Sequence, residues 1–306
     1  MIDALSWFLT NLALGFYNIG AFLVNADDWL AWTGGLETDE QKQSLMRLVF
    51  YGASSELFFV LLAIFLAVTV AGYFLRDGLW NIVRFNEGVL NWIGRIAAWA
   101  GLLMVLQQVM IVFLQRIFRA ADISIGPFGA TFTRDISWYS EELKLYNAIV
   151  VCLCVSWTFI QGGHVRVDLF YAAVSHRTKR VIDMIGCLLF MVPSLALIWL
   201  YSWFFFWRSM ITPSVSASDG YERLVDGKFR AVRWNIETTS FSPNGFDAYF
   251  LFKVLILAFA ATAFLQALTF FWRSWLEYRE GEMSADRYLD RDVLGDETAE
   301  PAVGSH

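Results

Sequence analysis

Two adjacent carboxylates at the head of an apolar run are the first residues whose types and spacing could do chemistry. Glu141 and Glu142 follow Trp138 in the order Trp-Tyr-Ser-Glu-Glu, and the stretch from Ala148 to Ile160 carries no charge. At its foot stands Gly162-Gly163-His164-Val165-Arg166-Val167-Asp168. Charged groups in or beside hydrocarbon are costly, so they pair, line a wet cavity or anchor at the interface. Coupling to sodium or protons needs a polar cavity near the bilayer midplane, commonly built from broken helices. Glu141 and Glu142 lie at a helix end, so the expectation is contact with a partner, or with Lys144 and Arg134, rather than ion ligation. His164 could titrate near neutral pH as a switch, or it could tie down the turn by bonding Asp168 or a backbone carbonyl. Asp168 is the one titratable partner in that loop, which favours the structural role.

Glu56, Asp183 and Lys253 fall in or at the start of other apolar runs. Ionisable residues there are functional candidates by default, and together the three would form a polar path. Glu56 sits close enough to the end of its run to reach water, which favours an interfacial role. Other chemistry is missing from the inventory. Of three histidines, His164 and His176 lie in a loop and His306 is the last residue, so no histidine pair could hold a haem between helices. Cys152, Cys154 and Cys187 lie within apolar runs, without metal-ligand or disulfide spacing. Walker, glycine-rich nucleotide and zinc patterns are absent. The expectation is a non-enzyme with no cofactor and no metal.

The elements that position these residues are membrane helices. Of 306 residues, 57% are hydrophobic and only 17% charged, below the quarter or so usual in soluble domains. Apolar runs of about twenty residues read as spans, and fourteen tryptophans, many near run ends, fit aromatic belts. The predicted class is all-α: a polytopic membrane protein with six transmembrane helices plus interfacial amphipathic helices. The spans are Leu5 to Val24, Leu48 to Leu75, Trp92 to Phe118, the run ending at Ile160, Val181 to Trp207 and Ala248 to Trp272. Arg76 to Gly88 and Leu169 to Arg180 read as helices lying in the interface. Ala26 to Met46 reads as an acidic loop with room for a short amphipathic helix, Ser209 to Asp247 as a long extramembrane loop, and Pro193 as a kink. Gly126-Pro127 and Gly129 mark a loop before the central helix. The net charge of −6 sits mainly in the tail and suggests no nucleic-acid partner.

Trp-x-x-Glu-Glu at the head of a membrane helix, Gly-x-His-x-Arg-Val-Asp at its foot and a basic amphipathic link resemble the small permease subunit of TRAP transporters, the tripartite ATP-independent periplasmic transporters. The resemblance spans roughly residues 92 to 275, on Trp138, Glu141, Glu142, Gly162, Gly163, His164, Arg166, Val167 and Asp168. The N-terminal helix pair makes this an enlarged form. It implies a division into 1–90, an extra helix pair with an interfacial segment; 91–275, a four-helix domain whose 209–247 loop is periplasmic; and 276–306, a disordered acidic cytoplasmic tail. It also implies a scaffold in the bacterial inner membrane with cytoplasmic termini. Its partners would be a large permease subunit holding the solute and sodium sites, a periplasmic solute-binding protein that delivers an organic acid, and membrane lipids. The cluster Arg177, Lys179 and Arg180, with Arg273 and Arg279, favours the same orientation. The rival classes are an autonomous channel or carrier using Glu56, Asp183 and Lys253, and an accessory subunit of an unrelated membrane complex.

Overall fold

In the computed structural model the described residues are 2–25, 29–125, 132–162, 174–211, 245–246, 248–285 and 287–289. Among them the chain is a bundle of helices: α1 (Ile2–Val24), α2 (Asp39–Tyr51), α3 (Ser55–Phe74), α4 (Arg76–Val112), α5 (Ile136–Ile160), α6 (His176–Gly186), α7 (Val192–Ile211) and α8 (Phe250–Glu280). Six candidate membrane spans, all long and apolar, follow from these, so the all-α polytopic class stands. One addition breaks the pure helix pattern. A short antiparallel hairpin, β1 (Asp122–Ile125) and β2 (Phe132–Asp135), pairs Asp122 with Asp135 and Ile125 with Phe132 ahead of α5.

Local chemistry sets the boundaries. The expected span Leu48 to Leu75 is two helices, because Ser54 caps α3: its hydroxyl accepts the Leu57 N–H at 3.3 Å. The preceding α2 starts from a capping box, in which Thr38 Oγ1 accepts from the Gln41 N–H and Gln41 Oε1 from the Thr38 N–H. Most of the expected acidic loop's end is therefore this helix. Gly162 adopts φ +75° at the foot of α5, the left-handed closure expected for the glycine pair.

The two predicted interfacial helices are corrected. Arg76 to Gly88 is the first part of α4, which runs without a break through residue 90; with the π-helical turn Phe113–Ile117 it reaches 42 residues, about 63 Å at about 1.5 Å per residue. The described part of the second, from His176, is continuous with α7 through another π turn, Cys187–Met191. That turn lies directly ahead of Pro193. Proline has no N–H to give the carbonyl four residues back, and the widened turn passes the Val192 N–H to Cys187 O instead.

α8 is the hub, packed on α4, α5, α6 and α7. Ala260, Ala263 and Ala267 are buried along one of its faces, small residues that let helices come close. α4 and α5 form the most extensive pair, and at its tightest point a Cβ on Gly94 would lie 2.2 Å from Trp157 Cβ. α1 packs on α3 in the same way, Gly15 against the Phe59 carbonyl. Asn11 donates to the Trp7 carbonyl of its own helix at 2.8 Å rather than across a helix pair. α8 continues to Glu280 with Leu276 and Glu277 fully buried, and the Tyr288 ring lies under Arg84 of α4.

Candidate functional site

The carboxylates of the central helix are bound within the chain. At the head of α5, Asp135 caps the helix by accepting the Ser137 N–H, which brings Trp138, Glu141 and Glu142 onto its first two turns. Glu141 Oε2 accepts the backbone N–H of Phe246 at 2.9 Å and the Tyr249 hydroxyl at 3.3 Å. Glu142 accepts from Gln107 Nε2 of α4 at 3.0 Å and from the Tyr146 hydroxyl. Trp138 packs on Phe246, ring centroids 5.3 Å apart, with the Arg134 guanidinium over the Trp138 ring at 5.9 Å. Burial, and then the charge of Glu141, raise the Tyr249 phenol above its ordinary value and keep it a donor. The three residues thus clamp α4, α5 and the start of α8 together. Beyond this clamp, Ile111, Ile123, Ile136 and Tyr139 pack the hairpin onto the end of α4.

A second clamp lies at the opposite end, and its central carboxylate, Glu87, escaped the sequence reading. Arg273 of α8 makes a two-pronged pair with Glu87 of α4, through Nε at 2.6 Å and the second terminal nitrogen. It also donates to the Arg287 carbonyl at 3.0 Å and to Glu277 at 3.4 Å. Glu277 is 1% exposed and meets Arg180 of α6, which in turn pairs with Asp183 at 3.2 Å. Trp80 Nε1 donates to Glu280 at 2.9 Å beside them. Such bidentate pairing suits arginine's planar fork. The signal was in the spacing: Leu79, Val83, Glu87, Leu90, Gly94 and Ala97 form one buried stripe of α4, so Glu87 had to be inside and paired.

The two clamps bracket the apolar zone. Glu87 to Gln107 along α4 and Lys253 to Arg273 along α8 are each twenty residues, about 30 Å, the thickness of a bilayer's hydrocarbon core. Glu56, Asp183 and Lys253 do not meet across that zone. Glu56 is exposed in the first turn of α3, next to the Gly52–Ser54 break. Lys253 lies over the Phe205 ring at 4.5 Å, at the Glu141 end, whereas Asp183 belongs to the Arg273 end. Gly163, His164, Arg166, Val167 and Asp168 lie outside the described residues, as does the 212–244 part of the expected loop. Among the described residues no group of His, Cys, Asp and Glu is arranged to hold a metal ion.

No curated protein and no solved structure gives a match to this chain. Residues 109–222, from the last turn of α4 through α7, match the family described as tripartite ATP-independent periplasmic transporters, DctQ component. That stretch holds the α5 head with its Glu141 and Glu142 clamp, the foot of α5 and the link into α6. Over residues 109–222, therefore, the chain is similar to the DctQ component of tripartite ATP-independent periplasmic transporters.

Proposed function

We propose that the chain is the fixed scaffold of a TRAP-type secondary transporter in the bacterial inner membrane. It braces the immobile part of a larger permease subunit, which carries the solute and sodium sites for uptake of an organic acid. A periplasmic binding protein delivers that solute to the side of the Glu141 clamp, and both termini lie in the cytoplasm. The observation that carries this reading is the pair of clamps: side chains of α4, α5, α6 and α8 are tied by carboxylates at both ends of a 30 Å apolar zone of twenty residues, and the three candidate polar residues form no path between them. Ties at both ends oppose the sliding of one helix past another that a moving carrier needs, and they suit a rigid brace.

The test is purification of the tagged chain from its native membrane in mild detergent, with mass spectrometry of what co-elutes. The expected result is a larger polytopic permease in stoichiometric amount, and liposomes holding this chain alone that move no solute. A chain that elutes alone and transports by itself would sink the proposal and make Glu56, Asp183 and Lys253 the residues to mutate.

A further inference from the structure

Helix α2 is amphipathic in a way that neither clamp explains. Its inner face buries Ser44 and Leu45, and Leu45 packs with Trp207 and Met210 of α7. Its outer face exposes Met46 and Phe50 and, with Lys42, Gln43, Arg47 and Tyr51, lines an open groove of about 450 Å³. The Arg47 side chain makes no ion pair or hydrogen bond among the described residues. Lys42 touches only Asp39 there, at 3.5 Å, and both side chains are more than half exposed, so that pair holds the lysine weakly.

The depth of α2 follows from its ties to α7. Trp203 Nε1 donates to the Val49 carbonyl and Trp199 Nε1 to the Gly52 carbonyl, each at 2.8 Å. Trp203 is two residues from Phe205, whose ring sits under Lys253, so the foot of α2 lies at the level of the Glu141 clamp, where the apolar zone meets the headgroups. Along the helix from outside inward come Asp39 and Glu40, then Lys42, then Arg47 one and a half turns deeper, then Phe50 at the apolar level. Lys42 thus stands outside Met46 and Arg47 outside Phe50, in each case a cation over an exposed apolar side chain, as phosphate stands over acyl chain in a phospholipid.

We propose that the outer face of α2 is a binding site for an anionic phospholipid of the leaflet it faces. Lys42 and Arg47 take the phosphate, Gln43 stands beside Lys42 on the headgroup side, and Met46 and Phe50 take the first part of an acyl chain, with Tyr51 at the foot of the groove. Charge complementarity carries the choice of an anionic lipid: Lys42 and Arg47 line one open groove at headgroup depth, and the acidic residues Asp39 and Glu40 stand at the outer end of α2, farther from the apolar zone. The site depends on the membrane reading of the chain and not on its role beside a permease.

Native mass spectrometry tests it on the full chain, delipidated in detergent and supplied with phosphatidylglycerol or phosphatidylcholine. The expected result is one phosphatidylglycerol retained on the wild type at an activation energy that strips phosphatidylcholine, its loss in the double variant Lys42→Gln, Arg47→Gln, and its retention in Arg116→Gln, which removes an exposed cation elsewhere. Circular dichroism of the double variant checks that α2 persists. Equal retention of phosphatidylglycerol in the folded double variant and the wild type, or equal retention of both lipids by the wild type, overturns the proposal.

Discussion

Glu87 and Arg273 are the residues on which the second clamp depends. Both are nearly fully buried, and removing one partner of a buried pair strands the other charge at a cost of about 3–5 kcal/mol. Glu87→Gln is therefore expected to lower the thermal unfolding temperature in detergent strongly. Asp39→Asn, which breaks an ion pair on the exposed cap of α2, should leave it unchanged within error. At the other clamp, Glu141→Ala leaves the Phe246 N–H without its acceptor, a loss of about 1–3 kcal/mol, read by the same unfolding measurement. The sequence made Glu141 and Glu142 conspicuous because they interrupt the polarity of a span. It hid Glu87 because that residue stands in a mixed stretch that resembles an interfacial helix, and only its place on the Leu79 to Ala97 stripe gives away that it faces inward.

Elements were legible where apolar runs were long and boundaries were not. The break between α2 and α3 depends on one serine cap inside a run that hydropathy treats as continuous. A helix end at that depth leaves carbonyls that need donors, and Trp199 and Trp203 supply them from α7. Trp199→Phe keeps the ring's bulk but strips the Gly52 carbonyl of its donor, so it should destabilise by about 1–3 kcal/mol and speed hydrogen exchange at the start of α3. Trp203→Phe should do the same at Val49. The opposite error came at α4, where a shift from apolar to mixed composition suggested two elements in one long helix: a helix can leave the membrane and continue in water, so composition marks the surface it crosses and not its end. At its contact with α5, Gly94→Val would put a side chain where Trp157 already stands. The expected outcome is an unfolded or aggregated product on size-exclusion chromatography, with Gly88→Val, whose Cβ meets nothing within 4 Å, behaving as wild type.

At the scale of the molecule, the chain is a bundle tied at both ends of its apolar zone, with α2 packed on α7, α3 on α4 and α8, and α1 on α3. The family match begins at residue 109, so this addition is the part for which sequence likeness gave least and packing gives most: Phe65 and Trp272 stack with ring centroids 5.7 Å apart, and Thr69 accepts from Trp272 Nε1 at 2.9 Å. Six spans could be read from the sequence, because burial in lipid writes itself into composition; the ties that make the bundle rigid join residues as far as 200 positions apart, as Trp80 and Glu280 are, so spacing marks the buried member of a pair and not its partner. The most direct measurement is the distance between spin labels at Val151 on α5 and Leu197 on α7, both exposed on the bundle surface, in the assembled transporter with and without sodium and solute-loaded binding protein. A scaffold predicts one unchanged distance distribution under every condition. Two populations whose ratio shifts with sodium and solute would contradict it and would make this chain part of the moving machinery.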